Sequence, residues 1–430
     1  MDRLRSVKHK LLESINKSNV YKDLFDIPRK ILESNNVNVK NAKKLNIVIL
    51  NTPCNGFGDL MFAHKLASML RELYKCNVDI ASTLPDKLSI LGETEDNIVA
   101  LKTKSNDKEC RRFKHLDNTG LKIKYDLLFV APVNQDYSIS YSDVKSLIPY
   151  SNNFNTFFFS EYNDDLEKGF DFPTGVGEGY YGLLLTKPKI KPIKRKYKYA
   201  LAYIAGDQWS SQIPLWRNCI LGFVTMVAKK HKTEDVFEII GPEYPLTYIF
   251  NMTKQKLKKI LGSYFGSIKL IGKTVTRNKI FSNRKNTLIF NISVFPVPNK
   301  EMLSLMKYSV KDILLTGDQS ISDGLSCCPD KNIWYQTVPW KYDFVDNLAL
   351  EMPNKYFKDV KMSCGSTKTV HFDSDYKKFI SKNSFIKNAI IKLNGIISVA
   401  IELRNKNSWV YKYQKDVLSV RGIVQFKNMI

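Results

Sequence analysis

The strongest constraint on the fold is a rhythm that runs twice through the chain: a short apolar strand, a polar or glycine-containing turn, an amphipathic helix, then another apolar strand. Strands that read as unbroken apolar runs are covered on both faces, and a helix must carry the chain back between parallel neighbours. From Leu45, LNIVIL reads as such a strand, NTPCNGFGD as a turn, DLMFAHKLASMLRELY as a helix and NVDIAS as the next strand. YDLLFVAPV (Tyr125 to Val133) and TFFFSEYN (Thr156 to Asn163) extend the same sheet. The rhythm stops at KPKIKPIKRKYKY, Lys187 to Tyr199, where two prolines among seven basic residues have the composition of an exposed linker. It restarts with YALAYIA and continues through VFEIIGP, SIKLIG, TLIFNISVF, DILLTG and NIWYQTV, with helical periods between them.

At 430 residues the chain is too long for one ordinary core. The expected fold is α/β: two Rossmann-like doubly wound domains with helical N- and C-terminal extensions. The boundaries are residues 1–44 for a helical arm, 45–190 for the first domain, 191–372 for the second and 373–430 for terminal helices. In the arm, LRSVKHKLLESI sets Leu4, Val7, Leu11, Leu12 and Ile15 at helical spacing, which suits a packing arm or a helix lying on a membrane surface.

Composition excludes several classes. There is no apolar run of the roughly 20 residues that span a bilayer and no apolar leader at the start, and the seven cysteines are scattered without paired spacing. The expectation is a cytoplasmic protein, with membrane association left open. The net charge of +24, from 66 Lys and Arg against 42 Asp and Glu, favours anionic partners. Five dispersed histidines offer no zinc spacing, and P-loop, nucleophile-elbow and kinase signatures are absent. The DSD triplet at Asp373 to Asp375 could hold a divalent cation, but its place before a lysine-rich helix suits a cap.

In an open parallel sheet, ligands bind at the carboxyl ends of strands, where helix N-termini present unpaired N–H groups. Two loops meet that requirement. The first is Asn55-Gly56-Phe57-Gly58-Asp59, which lacks the third glycine of a dinucleotide fingerprint. The second is DILLTGDQSISDGLSC. There Gly317 makes the turn, Asp318, Gln319 and Ser320 open a helix able to hold a diphosphate, and Asp323 can accept from a ribose hydroxyl. Ordinary capping by Asp318 or Ser320, with Asp323 as a first-turn acid, fits the same residues.

The run NKEMLSLMKYSVKDILLTGDQSISDGLSCCPDKNIWYQTVPWKYDF resembles the nucleotide-sugar site of GT-B glycosyltransferases, and NGFGDLMFAHKLASMLRE resembles the opening of that fold in heptosyltransferases and protein-arginine rhamnosyltransferases. It departs from many members in having Asp323 where Glu is commoner and Cys327-Cys328-Pro329 where small residues sit. The resemblance implies a glycosyltransferase with a nucleotide-sugar as co-substrate, without metal or other cofactor, inverting configuration. It makes Asn55 to Gly58 an acceptor loop and Asp59 the general base, although Asp59 could instead cap the helix it begins. Lys341 and Arg217 become candidate cations for the departing diphosphate. His64, one turn beyond Asp59, reads as a packed or surface histidine. The expected partners are a nucleotide-sugar and a glycan, lipid-linked or protein acceptor, with peripheral membrane contact and without nucleic acid, since the basic residues are spread along helices and linkers. The alternative reading is a catalytically inactive nucleotide-binding or scaffold protein of the same fold.

Overall fold

The computed structural model describes residues 43–53, 57–103, 115–121, 123–133, 141–152, 155–185, 189–204, 213–338, 341–352, 357–362, 365–371, 376–408 and 411–412. Residues 1–42 of the expected N-terminal arm, the loop residues Asn55 and Gly56 and the DSD triplet therefore lie outside the described residues.

The first domain runs β1 (Asn46–Asn51), α1 (Gly58–Tyr74), β2 (Asn77–Ser82), α2 (Pro85–Leu91), β3 (Ile98–Ala100), β4 (Lys102–Thr103), β5 (Leu116–Asp117), β6 (Leu127–Val130), α3 (Tyr141–Leu147) and β7 (Thr156–Phe158). Its main sheet has the order β3-β2-β1-β6-β7, parallel throughout. The apolar run of β1 makes it the central strand, buried along most of its length. From β1 the chain winds outward to β2 and β3, then returns to β6 on the other side. The loops after β1 and β6 thus flank the point where strand order reverses.

The second domain runs β8 (Tyr199–Leu201), α4 (Ile213–Lys230), β9 (Val236–Ile240), α5 (Glu243–Phe250), α6 (Lys254–Leu261), β10 (Ser267–Ile271), β11 (Thr276–Ile280), β12 (Thr287–Asn291), α7 (Asn299–Tyr308), β13 (Asp312–Leu315), α8 (Asp318–Cys327), β14 (Asn332–Gln336), α9 (Tyr342–Glu351), β15 (Phe357–Met362), β16 (Gly365–His371), α10 (Tyr376–Asn383) and α11 (Phe385–Arg404). One run of strands is β11-β10-β12-β9-β8 and another is β13-β14-β16-β15. A bridge between Ala202 and Leu314, with the Tyr203 N–H donating to the Leu314 carbonyl over 2.8 Å, makes them one continuous sheet. Strand order reverses between β8 and β13, and the Gly317 loop follows β13. The doubly wound expectation holds for both domains.

Three strands of the second domain depart from the sequence reading. The antiparallel edge strand β11 and the antiparallel pair β15–β16 have polar, exposed or short apolar patterns, so no apolar run announces them. Their pairing is supplied by neighbours already in the sheet.

The domains do not stand apart. One apolar cluster includes Leu60 and Phe62 of α1 together with Ile321 and Leu325 of α8 and Phe344 of α9. Helix α11 crosses back to the first domain: Asn394 accepts a 2.7 Å hydrogen bond from the Tyr74 hydroxyl, and Arg404 makes a two-pronged contact with Asp126, both distances 2.7 Å. An interface this apolar resists the relative motion that is the default between domains.

Candidate functional site

Helix α1 begins at the first reversal point and α8 at the second, and the two pack against each other across the domain boundary. Lys65 of α1 sits on the buried face of its helix, one turn after Met61 and one before Met69. Its ammonium lies 2.7 Å from Asp323 Oδ1, with 2% and 4% of the two side chains exposed. It also donates to the Gln319 carbonyl over 3.2 Å and to Ser322 Oγ over 3.1 Å. Three acceptors around one ammonium satisfy a charge that burial would otherwise make costly. Asp323, expected to meet a ribose hydroxyl, has this interdomain lysine as its partner.

The first turn of α8 has an unusual start. Gly317 takes φ 77° and ψ 149°, a region open almost only to glycine, and space for a Cβ exists around it. It is the residue at the N-cap position and, being glycine, brings no side chain to cap the helix. The capping alternative for Asp318 and Ser320 is thus not what the structure adopts. The free N–H groups of this turn and the helix dipole make the end anion-attracting. Against that stands the Asp318 carboxylate, whose Oδ2 is 2.8 Å from Lys341 Nζ and whose Oδ1 is buried without a hydrogen-bond partner among the described residues.

Lys341, just before α9, also meets Glu161 Oε2 at 2.8 Å. Burial opposes the charge on Lys341, but Asp318 and Glu161 outweigh it and hold its pKa well above the ordinary lysine value. It is a committed cation between two carboxylates, and Glu161 belongs to the first domain. Among the described residues, Gln319 Oε1 and the Tyr335 hydroxyl are likewise buried without a hydrogen-bond partner. Burial, with Asp318 nearby, drives the Tyr335 phenol far above its usual range.

Arg217 lies in the first turns of α4. Its guanidinium is stacked 4.8 Å from the Tyr248 ring centre and 5.6 Å from that of Trp216, so its visible engagement is with α5 and its own helix. Ser320 is half-buried on α8.

In the first domain, Phe57 and Gly58 open α1, and Asp59 is half-buried in its first turn. The N-cap position of this helix is held by Phe57, so Asp59 is not its N-cap. Its backbone is pinned by Asn51 at the end of β1, whose side-chain amide donates to the Asp59 carbonyl over 3.1 Å and to the Ala131 carbonyl over 3.0 Å. Asn51 ties the helix start to the strand end beside it. His64 makes a 2.9 Å contact from Nδ1 to Glu93 Oε2, the packed role expected of it.

Comparison of the sequence with protein-family models and with curated proteins gives no match. Among solved structures the chain is similar to the E. coli heptosyltransferase WaaC with ADP, at 9% identity over 70% of this chain and 90% of that one, TM-score 0.34. It is similar to S. aureus MnaA with UDP at 12% identity over 84% and 96%, TM-score 0.38. It is also similar to Acinetobacter baumannii MurG at 8% identity over 82% and 94%, TM-score 0.35. At such scores and identities these likenesses carry no inference about donor, acceptor or activity.

Sequence reasoning missed Lys65, Glu161 and Asn51. Lys65 had a readable signal, a charge at a core position of the helical period of α1. Glu161 had none, because only the tertiary fold carries it to Lys341.

Proposed function

We propose that this chain is a GT-B glycosyltransferase that moves a sugar from a nucleotide-sugar to a glycan, lipid-linked or protein acceptor, without a metal and with inversion. The observation that carries the reading is that α1 and α8 both begin at strand-order reversals and pack against each other, with Lys65 of α1 reaching the first turns of α8. In the proposed reaction Asp59 takes the acceptor proton as the acceptor atom attacks the anomeric carbon from the face opposite the donor diphosphate. The bond from the anomeric carbon to the diphosphate oxygen breaks, and the negative charge passes to the diphosphate. Backbone N–H groups of Gln319 and Ser320, with the Ser320 hydroxyl, receive that charge. Lys341 acts by neutralising Asp318 beside the diphosphate, which would otherwise repel it. Arg217 remains a candidate contact from the loop end of α4.

The test is a thermal-shift screen with UDP-, GDP-, ADP-, dTDP- and CDP-sugars, followed by mass spectrometry of nucleotide release. Stabilisation by one nucleotide family with release of its diphosphate is expected. Absence of stabilisation by every donor defeats the donor-site reading. A second reading, an inactive nucleotide-binding protein, is favoured by one observation: Lys341 is already matched by two carboxylates. It predicts stabilisation by nucleotide with no release or transfer.

A further inference from the structure

Between Glu243 and Glu301 the sequence contains no acidic residue and eleven Lys or Arg. In the folded chain this stretch forms α5, α6, the β10–β11 pair and β12, the outer edge of the second sheet. Helix α6 buries Leu257 and Leu261 and leaves Lys254, Lys256, Lys258 and Lys259 exposed. On the edge strand, Arg277 and Lys279 share one face by alternation. Both lie over the buried Phe250 ring, at 5.7 and 4.9 Å. Lys279 also donates to the carbonyls of Phe250 and Met252 over 2.7 and 3.2 Å, which joins the strand to the end of α5. Burial, then the charges of Arg277 and Lys254, lowers the Lys279 pKa, so Lys254 on α6 and the two β11 cations belong to one field. Val275, at the turn before β11, is 50% exposed, and Ile280 at its far end is 63% exposed.

We propose that this edge, formed by α6 and β11, is a docking surface for an anionic lipid bilayer. Charge complementarity selects an anionic occupant. A lysine or two would suffice to keep an exposed edge strand from pairing with another chain, and that purpose does not account for four more lysines on α6. Lysine is a strongly hydrated point charge suited to a diffuse headgroup plane, whereas nucleic-acid grooves favour arginine forks and exposed stacking rings. Here Phe250, the ring beneath Arg277 and Lys279, is buried, the exposed Tyr244 at the other end of α5 lies against Trp216, and exposed aliphatic residues stand at the two ends of β11. The patch is four strand spacings, about 19 Å, from β8 and the reversal point, so docking there leaves the Gly317 loop uncovered. The inference does not depend on the transfer reaction.

The experiment is flotation of the full chain with vesicles of phosphatidylcholine alone and of equal parts phosphatidylcholine and phosphatidylglycerol, in low and high salt. Binding to the anionic vesicles that is lost in high salt is expected. The variant Lys254→Gln/Lys256→Gln/Lys258→Gln/Lys259→Gln should weaken it at least about tenfold, and Arg277→Gln should weaken it in the same direction. Four exposed substitutions to another good helix former leave α6 intact. Unchanged binding by the fourfold variant overturns the proposal, as does equal binding to neutral vesicles. Tighter binding to a single-stranded oligonucleotide than to anionic vesicles, dependent on the same lysines, overturns it in favour of nucleic acid.

Discussion

Lys65 and Asp323, 258 positions apart in the sequence, form an ion pair of 2.7 Å with both side chains almost wholly buried, and it bolts the opening helix of one domain to the α8 helix of the other. Removing one partner of such a pair leaves an uncompensated charge, whereas replacing both with apolar residues is often neutral. Lys65→Met should therefore cost about 3–5 kcal/mol, and Lys65→Met/Asp323→Leu should recover most of it. Urea unfolding of both variants checks this; equal losses in the two would show that the pair is not what holds the interface.

The start of α8 separates backbone strain from ligand contact. No side chain caps the helix, so Ser320→Ala should leave the melting temperature unchanged while weakening nucleotide affinity by about 1.5–3 kcal/mol, the scale of a hydrogen bond to a charged group. Gly317→Ala meets no steric neighbour but must adopt φ 77°, at about 1–3 kcal/mol, so it should lose both stability and affinity. Melting temperature and affinity measured on the same preparations decide; a stability loss without an affinity loss for Ser320→Ala removes it from the donor site.

If Asp59 is the base, Asp59→Asn keeps shape and loses only the proton acceptor. Turnover should fall about 10²–10⁴-fold with nucleotide affinity unchanged. Steady-state kinetics with the donor found by screening test this, and wild-type turnover would end the assignment.

Acid should loosen the protein through two carboxylates. Burial alone would raise Glu93, but the hydrogen bond from His64, Arg71 and Asn97 outweigh it and hold it below its usual value. Burial likewise opposes Asp312, and Lys230, Trp334 and Asn332 together depress it. A depressed carboxylate contributes stability that is present above its unfolded pKa, about 4.3 for Glu and 3.9 for Asp, and is lost as pH falls through the folded value. The melting temperature should drop below about pH 4. Glu93→Gln should lower it at neutral pH and flatten its acid limb, as calorimetry across pH would register; an unchanged acid limb would show that Glu93 does not drive it.

Much of the architecture was legible because it rests on local pattern. Apolar runs such as LNIVIL and DILLTG sit where both faces of a sheet are covered, and the intervening helices carry a period of their own. The Gly317 turn was legible for the same reason: a glycine between an apolar strand and a helix marks backbone that other residues resist. β11 and the β15–β16 pair were not, since strands this polar are placed by hydrogen bonds to their neighbours and carry no apolar run to announce them.

What the sequence determined by itself is therefore the kind of each element, the two-domain order and the two loops at strand ends. Tertiary structure alone decided the partners. The sequence sets Asp323 one turn into a helix, and only the fold brings Lys65 of α1 to it; it sets Lys341 after the next strand, and only the fold places Asp318 and Glu161 each 2.8 Å from its ammonium. The physical reason is that a charge responds to whatever lies within a few ångströms of it, and Glu161 and Lys341 come within that range only once the two domains have packed.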